Sequence, residues 1–280
     1  MLIAQISDIH IREDGQRCCG WVDTAPFLAK AVDKLNALRP SPSAVVVTGD
    51  LVDSGSPAEY ARLHALLAPL AMPYYLVVGN HDRREPLRAA FPDHAHLRSG
   101  PFVQYTIDEL PVRLVVLDTN IPGQHAGELC GERLDWLERR LAEQPNRPTA
   151  IFMHHPPFKT GNIPLDRLDL SGKERLAAIV SKFRNIHGVF CGHLHRAIQA
   201  RFAGTIAMTC PSTAHQVHLS LGESSIMAFD MEPPACQLHW WDGHSLVTHT
   251  AFIERFDGPF SVQTGERIEI RTDSIHGRAP

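Results

Sequence analysis

Apolar runs of strand length alternate with amphipathic runs of helix length through the first two thirds of this chain, and no other property of the sequence limits its fold so sharply. Leu2–Ser7, Ala44–Val47, Tyr74–Val78, Val112–Leu117, Thr149–Met153 and Ile186–Cys191 are apolar at nearly every position. A strand that is apolar on both faces is covered on both faces. Between these runs, Ala25–Leu38, Pro57–Leu67, Glu132–Leu141 and Lys173–Phe183 carry apolar residues at helical spacing. Strands separated by helices predict an α/β fold with a largely parallel sheet. After His195 the texture changes. Ala197–Phe202, Thr205–Thr209, Ser225–Met231, Cys236–Trp241 and Leu246–Phe252 read as strands with no helix between them, which predicts an antiparallel sheet completing a sandwich. Residues 258–280 are polar and aperiodic and read as a tail.

The strand ends carry the chemistry. In open α/β sheets ligands gather beyond the carboxyl ends of the strands. Five of those ends here bear metal-ligand types: Asp8-x-His10, Asp50, Asn80-His81, His154-His155 and His193-x-His195. Any one of them could be a cap or a turn residue. Five in succession are not explained by turns, and the chain holds 17 His in 280 residues. Mixed carboxylate and imidazole ligands suit Zn²⁺, Mn²⁺ or Fe better than Ca²⁺. Seven ligands exceed the needs of one tetrahedral ion and fit two ions if one carboxylate bridges. Gly49, Gly79 and Gly192 stand beside the ligands, where side-chain bulk would obstruct close approach.

Composition excludes several classes. Net charge is −4 with scattered Arg, so no basic face for duplex nucleic acid is expected. No run approaches the length of a membrane span. The six cysteines form no C-x-x-C pair or disulfide framework, and with no secretory leader they fit a cytoplasmic protein. No P-loop or G-x-S-x-G motif is present.

Asp8-x-His10, Gly49-Asp50-x-x-Asp53, Gly79-Asn80-His81-Asp82, His154 and Gly192-His193-x-His195 together resemble, in order, the signature of the calcineurin-like metallophosphoesterases. The likeness covers about residues 1–250, leaving 251–280 as a C-terminal extension. It is strongest to the class III cyclic-nucleotide phosphodiesterases and bacterial glycerophosphodiesterases, through the segment IFMHHPP at 151–157 and Ala214-His215-Gln216-Val217. The resemblance implies a four-layer αββα sandwich with two mixed β-sheets and two divalent ions per chain: Mn²⁺, Fe²⁺, Zn²⁺ or Co²⁺. It implies Asp8, His10, Asp50 and His195 at one ion and Asp50, Asn80, His154 and His193 at the other, with Asp50 bridging. It further implies attack by a metal-bridging hydroxide on a small phosphodiester, such as a 3',5'-cyclic nucleotide (cAMP) or a glycerophosphodiester. Catalytic help would come from His81, and substrate contacts from Asn80, His81, His195 and His215. Asp53, Asp82 and His155 would stand behind the ligands, the two aspartates orienting imidazoles. A phosphomonoesterase or nuclease of the same fold, and a scaffold without activity, are the alternatives. Apolar and aromatic residues in 225–252 predict a homo-oligomer. Trp21 is expected in the core or on the wall of the pocket, Cys191 in the core, and His94, His96, His125, His239, His244, His249 and His276 at the surface or in packing.

Overall fold

A computed structural model describes residues 1–98, 100–221 and 226–269. The first half runs β1 (Leu2–Ile6), α1 (Ala25–Ala37), β2 (Ala44–Thr48), α2 (Pro57–Leu67), β3 (Tyr74–Val77) and α3 (Arg84–Ala90). The middle runs β4 (Tyr105–Ile107), β5 (Arg113–Val116), β6 (Gly127–Glu128), α4 (Gly131–Glu143), β7 (Thr149–Phe152), α5 (Ile163–Asp166), β8 (Leu170–Ser171), α6 (Lys173–Val180) and β9 (Ile186–Cys191). The remainder is strand: β10 (Ile198–Phe202), β11 (Thr205–Thr209), β12 (Gln216–Val217), β13 (Phe229–Asp230), β14 (Ala235–Trp241) and β15 (Leu246–Phe252).

Two mixed sheets result. The five-stranded sheet has the order β15-β14-β1-β2-β3, and the six-stranded sheet the order β10-β11-β9-β7-β5-β4. The apolar runs form their parallel centres, β1-β2-β3 and β5-β7-β9-β11. Strand alternation builds the layers. In the six-stranded sheet, Leu114, Val116, Ala150, Phe152 and Phe190 join one core cluster with β1, β2, β3 and the apolar faces of α1 and α2. Their neighbours Val115, Ile151 and Val189 join a second cluster with Leu134, Leu137 and Leu141 of α4 and Leu176, Ile179 and Val180 of α6. Helix, sheet, sheet and helix are therefore stacked, as the family resemblance implies.

Of the late strands only the two-residue β12 and β13 pair in an antiparallel sheet of their own, in place of the larger antiparallel sheet predicted from their texture. β10 and β11 extend the second sheet, β11 pairing parallel to β9. β14 and β15 extend the first, β14 pairing antiparallel to β1. The reason lies in the parallel centres, whose outer strands present unpaired backbone that each hairpin satisfies. The strand expected over Ser225–Met231 is reduced to β13, and Ser225 lies outside the described residues, as does His276. β15 runs across residue 250, and Ile253 just beyond it is buried. The described part of the extension thus begins inside the core rather than after it.

Candidate metal centre

The parallel strands of both sheets point their carboxyl ends to one place, and the connecting loops are laced together there. Asp8 N–H donates to Gly49 O (3.1 Å), His10 N–H to Asp50 O (2.9 Å), and Gly192 N–H to His154 O (3.0 Å). Asp8, His10, Asp50, His193 and His195 all have φ between +43° and +71°. Non-glycine residues in that region cost free energy and mark sites where surrounding structure enforces them. Gly79 has no such φ; it is required because a Cβ there would occupy the space of the Asp50 amide and carboxylate.

Asp8, His10, Asp50 and His195 bring ligand atoms within 4.8 Å of one another, and so do His154, His155 and His193. Asp50 joins the two groups. Its Oδ2 lies 3.6 Å from His10 Nε2 and 3.3 Å from His154 Nε2. Asn80 Oδ1 is 3.0 Å from the same His154 nitrogen.

The outer nitrogens of the imidazoles fix which atoms face inward. His154 Nδ1 donates to Thr48 O (2.8 Å), His195 Nδ1 to His215 O (3.0 Å), and His10 Nδ1 to Asp53 Oδ1 (3.1 Å). In the neutral rings of His10 and His195 each Nε2 is then a bare lone pair. His10 Nε2 and His195 Nε2 stand 3.2 Å apart with no hydrogen between them, and Asp8 Oδ1 is 3.6 Å from the latter. Buried His193 Nε2 has no partner at all. Converging lone pairs and carboxylates without a donor are a poor arrangement for a protein alone and a good one for cations. The residues present therefore fit divalent metal.

The local field agrees. Burial opposes charge on His154, yet the Asp50 carboxylate outweighs it and holds the imidazole up at about 9. Burial, reinforced by Asp50, raises Asp8 to about 7 against the opposing pull of His154. A negative field that recruits a proton recruits a metal by the same interaction.

The residues behind the ligands divide by task. Asp53 accepts from His10, as above, and from Arg12 at 2.8 Å. Asp82 meets no imidazole by hydrogen bond. It accepts instead from the backbone N–H groups of Leu51, Val52 and Gly79 and from Tyr60 Oη. It ties the Asp50 loop to the Asn80 turn. Asp82→Ala leaves those buried donors unsatisfied and is expected to cost on the order of 3 kcal/mol of stability. Urea unfolding of the metal-free protein measures it, and a loss below about 1 kcal/mol would show that the loops do not depend on this carboxylate. His155 has both nitrogens engaged, with Thr119 Oγ1 (2.7 Å) and His125 O (3.1 Å). Burial, then nearby His154, lowers it to about 3, so it is a neutral structural residue.

Two cavities flank the cluster. One of about 610 Å³ is lined by His10, Asp50, His193, His195 and His215 among others. The other, of about 830 Å³, is lined by Arg83, Arg84 and Asn120 among others. Asp53, Asn80, His81 and His125 line both. His81 is fixed by Nδ1 donating to Asp53 O (2.7 Å), and its N–H donates to Asp50 Oδ1 (2.9 Å). His215 lines the first cavity, its ring 4.8 Å from that of His195.

Some placements differ from expectation. His125 is exposed, as expected of a surface residue, yet it also lines both cavities, 3.1 Å from the Asn80 amide nitrogen. The only sequence signal was Asp118 at the end of β5, which pairs with Arg84. Trp21 is 59% exposed beside Phe229 rather than in the core. His239 is buried and neutral against Gln5 and Thr248, and Cys191 is core.

Over residues 1–197 the chain matches the family described as Calcineurin-like phosphoesterase. It is 36% identical to the glycerophosphodiester phosphodiesterase GpdQ of Enterobacter lignolyticus over 98% of each chain. It is 31% identical to the 3',5'-cyclic adenosine monophosphate phosphodiesterase CpdA of Pseudomonas aeruginosa over 77% of each. A solved dimetal phosphatase of Danio rerio matches with a TM-score of 0.67 over 91% of this chain and 96% of its own, at 16% identity, a likeness of fold.

Proposed function

The chain belongs to the calcineurin-like phosphoesterase family, and from that premise we propose that it is a phosphodiesterase of small diesters, glycerophosphodiesters foremost, working with two divalent ions. The observation that carries this reading is the convergence of bare imidazole nitrogens and buried carboxylates between two cavities. A diester has a substituent on either side of phosphorus, and space lies on both sides of Asn80 and His81. The preference for glycerophosphodiesters over cyclic nucleotides rests on the relative named for the former, 36% identical over 98% of the chain, against 30–34% over 77–93% for relatives named for the latter.

Asp8, His10, Asp50 and His195 would hold one ion; Asp50, Asn80, His154 and His193 would hold the other. Metal bound there supplies positive charge to the phosphoryl oxygens and makes a water more acidic. Thr48, Asp53 and the His215 carbonyl hold the imidazoles of His154, His10 and His195 so that their Nε2 atoms would face the ions. Asn80, His195 and His215 face the substrate from the 610 Å³ side. His81, at the junction of both cavities, is the group placed to give a proton to the leaving oxygen.

The test is a substrate panel after reconstitution with Mn²⁺, Zn²⁺, Co²⁺ or Fe²⁺. Bis(4-nitrophenyl) phosphate, glycerophosphoethanolamine and cAMP are expected to turn over faster than 4-nitrophenyl phosphate. A monoester as best substrate would overturn the diesterase reading, and cAMP as best diester would overturn the preference for glycerophosphodiesters.

The protein is further proposed to be an oligomer of the reducing cytoplasm. All six cysteines are free, and among the described residues no helix is long and apolar enough to cross a membrane. β15 is an edge strand, and Trp240 on β14, Val247 and Phe252 on β15, and Phe256 and Phe260 beyond it are exposed. An apolar edge strand is satisfied by a second copy about a two-fold axis. Light scattering at micromolar concentration is expected to give a dimer or a multiple of it, and Val247→Asp to lower the mass. A monomeric wild-type protein would refute this.

A further inference from the structure

Beyond the Asp/His centre, the loop between β1 and α1 carries a second cluster of soft ligands. Cys18 and Cys19 are neighbours in a tight turn closed by mutual backbone hydrogen bonds between Cys18 and Val22, both 2.9 Å. Cys19 takes φ +52°, and the two Sγ atoms lie 3.7 Å apart. Two thiolates bound to one tetrahedral zinc, each with a Zn–S bond of about 2.3 Å, stand about 3.8 Å apart. The thiols are therefore already at the separation a cation would impose. A ring nitrogen of His215 lies within 4.8 Å of both sulfurs. His215 is 4% exposed, and its Nδ1 makes no hydrogen bond. A buried imidazole with an unpartnered nitrogen and two thiols at chelating separation have a common explanation.

We propose that Cys18, Cys19 and His215 form a separate site for a soft divalent cation, zinc or its thiophilic analogue cadmium, on the wall of the 610 Å³ cavity. Three protein ligands leave a fourth position for water. Cys19, hydrogen-bonded to Cys18 and beside His215, has its thiol pushed down to about 4, while Cys18 is pushed up. Binding forms two metal–sulfur bonds and releases to solvent the thiol protons that the two sulfurs carried. Before binding, the Cys18 thiol reaches Asp53 Oδ1 at 3.5 Å, the same oxygen that receives His10 Nδ1–H. Metal at the thiols removes that contact and engages His215, so the site adjoins the diesterase centre without sharing its ligands.

Cadmium titration of the full-length protein, its Asp/His centre first loaded with Mn²⁺, tests this. Thiolate-to-cadmium charge-transfer absorbance reports sulfur ligation alone, since the Asp/His groups contain no cysteine. The band is expected to saturate at the amplitude of two Cd–S bonds on one ion. Cys19→Ala, at an exposed position, should abolish two-sulfur ligation while leaving circular dichroism unchanged. His215→Ala should weaken cadmium binding at least about tenfold, measured by competition with a chromogenic chelator. No band with the wild-type protein, an undiminished band in Cys19→Ala, or unchanged affinity in His215→Ala would each overturn the site.

Discussion

Asp50→Ala is expected to empty the metal centre and to lower diester turnover by at least about 100-fold, the upper end of what even supporting residues behind metal ligands contribute. Asp50 is the only carboxylate whose oxygen approaches ligand nitrogens of both groups, 3.6 Å from His10 Nε2 and 3.3 Å from His154 Nε2, among the described residues. Its other oxygen receives the His81 N–H, so rotation away from the metals would break a partly buried hydrogen bond. Without it, two cations would lose their common anion and repel each other across a buried site. Asp50→Asn separates charge from shape: it keeps an oxygen in place but removes the negative charge, and should also bind metal weakly. Metal analysis after gel filtration gives the answer directly. Two tightly bound ions in Asp50→Ala would sink the bridging assignment whatever the activity.

The strand ends were legible because their chemistry sits in short motifs. Asp8-x-His10, Asn80-His81 and His193-x-His195 each follow a largely apolar run, and a parallel sheet has one direction for its carboxyl ends. The layers followed from the same runs, since Val115 and Val116 face opposite ways in one strand and must each find a core. Less was legible where partners are distant in the chain. β14 carries the same pattern whether it pairs with β13 or with β1, and only the open edge of the finished sheet decides. α3 escaped because it is seven residues long and Pro86 in its first turn reads as a breaker, although proline is tolerated there. His125 lies in a loop with no periodicity, and its place beside Asn80 depends on the Arg84–Asp118 pair that pins the loop after β5. Asp82 resembles the acidic residues that orient imidazoles, yet its position in the turn gives it four donors nearer than any ring. Sequence names the residue type, while the local turn decides what it meets.

His81→Ala should leave both metals bound and lower kcat by roughly 10²-fold, the usual contribution of a general acid. The geometry supports separating these effects. His81 Nδ1 is committed to the Asp53 carbonyl at 2.7 Å, which leaves Nε2 as the nitrogen available to substrate. The ring lines both cavities and lies edge-on to His10, its centroid 4.7 Å away, without belonging to the Asp8, His10, Asp50 and His195 group. From there it would face a phosphate substituent lying in either cavity. Charge develops on the leaving oxygen only as the P–O bond breaks, so a proton from Nε2 stabilises the transition state more than the bound substrate. The loss in His81→Ala should then grow with the basicity of the leaving group, being small for nitrophenolate and large for glycerol. His81→Gln retains a hydrogen-bond donor but no transferable proton, and should rescue the nitrophenyl diester more than glycerophosphoethanolamine. An equal loss on both substrates, with metal content intact, would exclude proton donation and assign His81 to positioning the phosphoryl group.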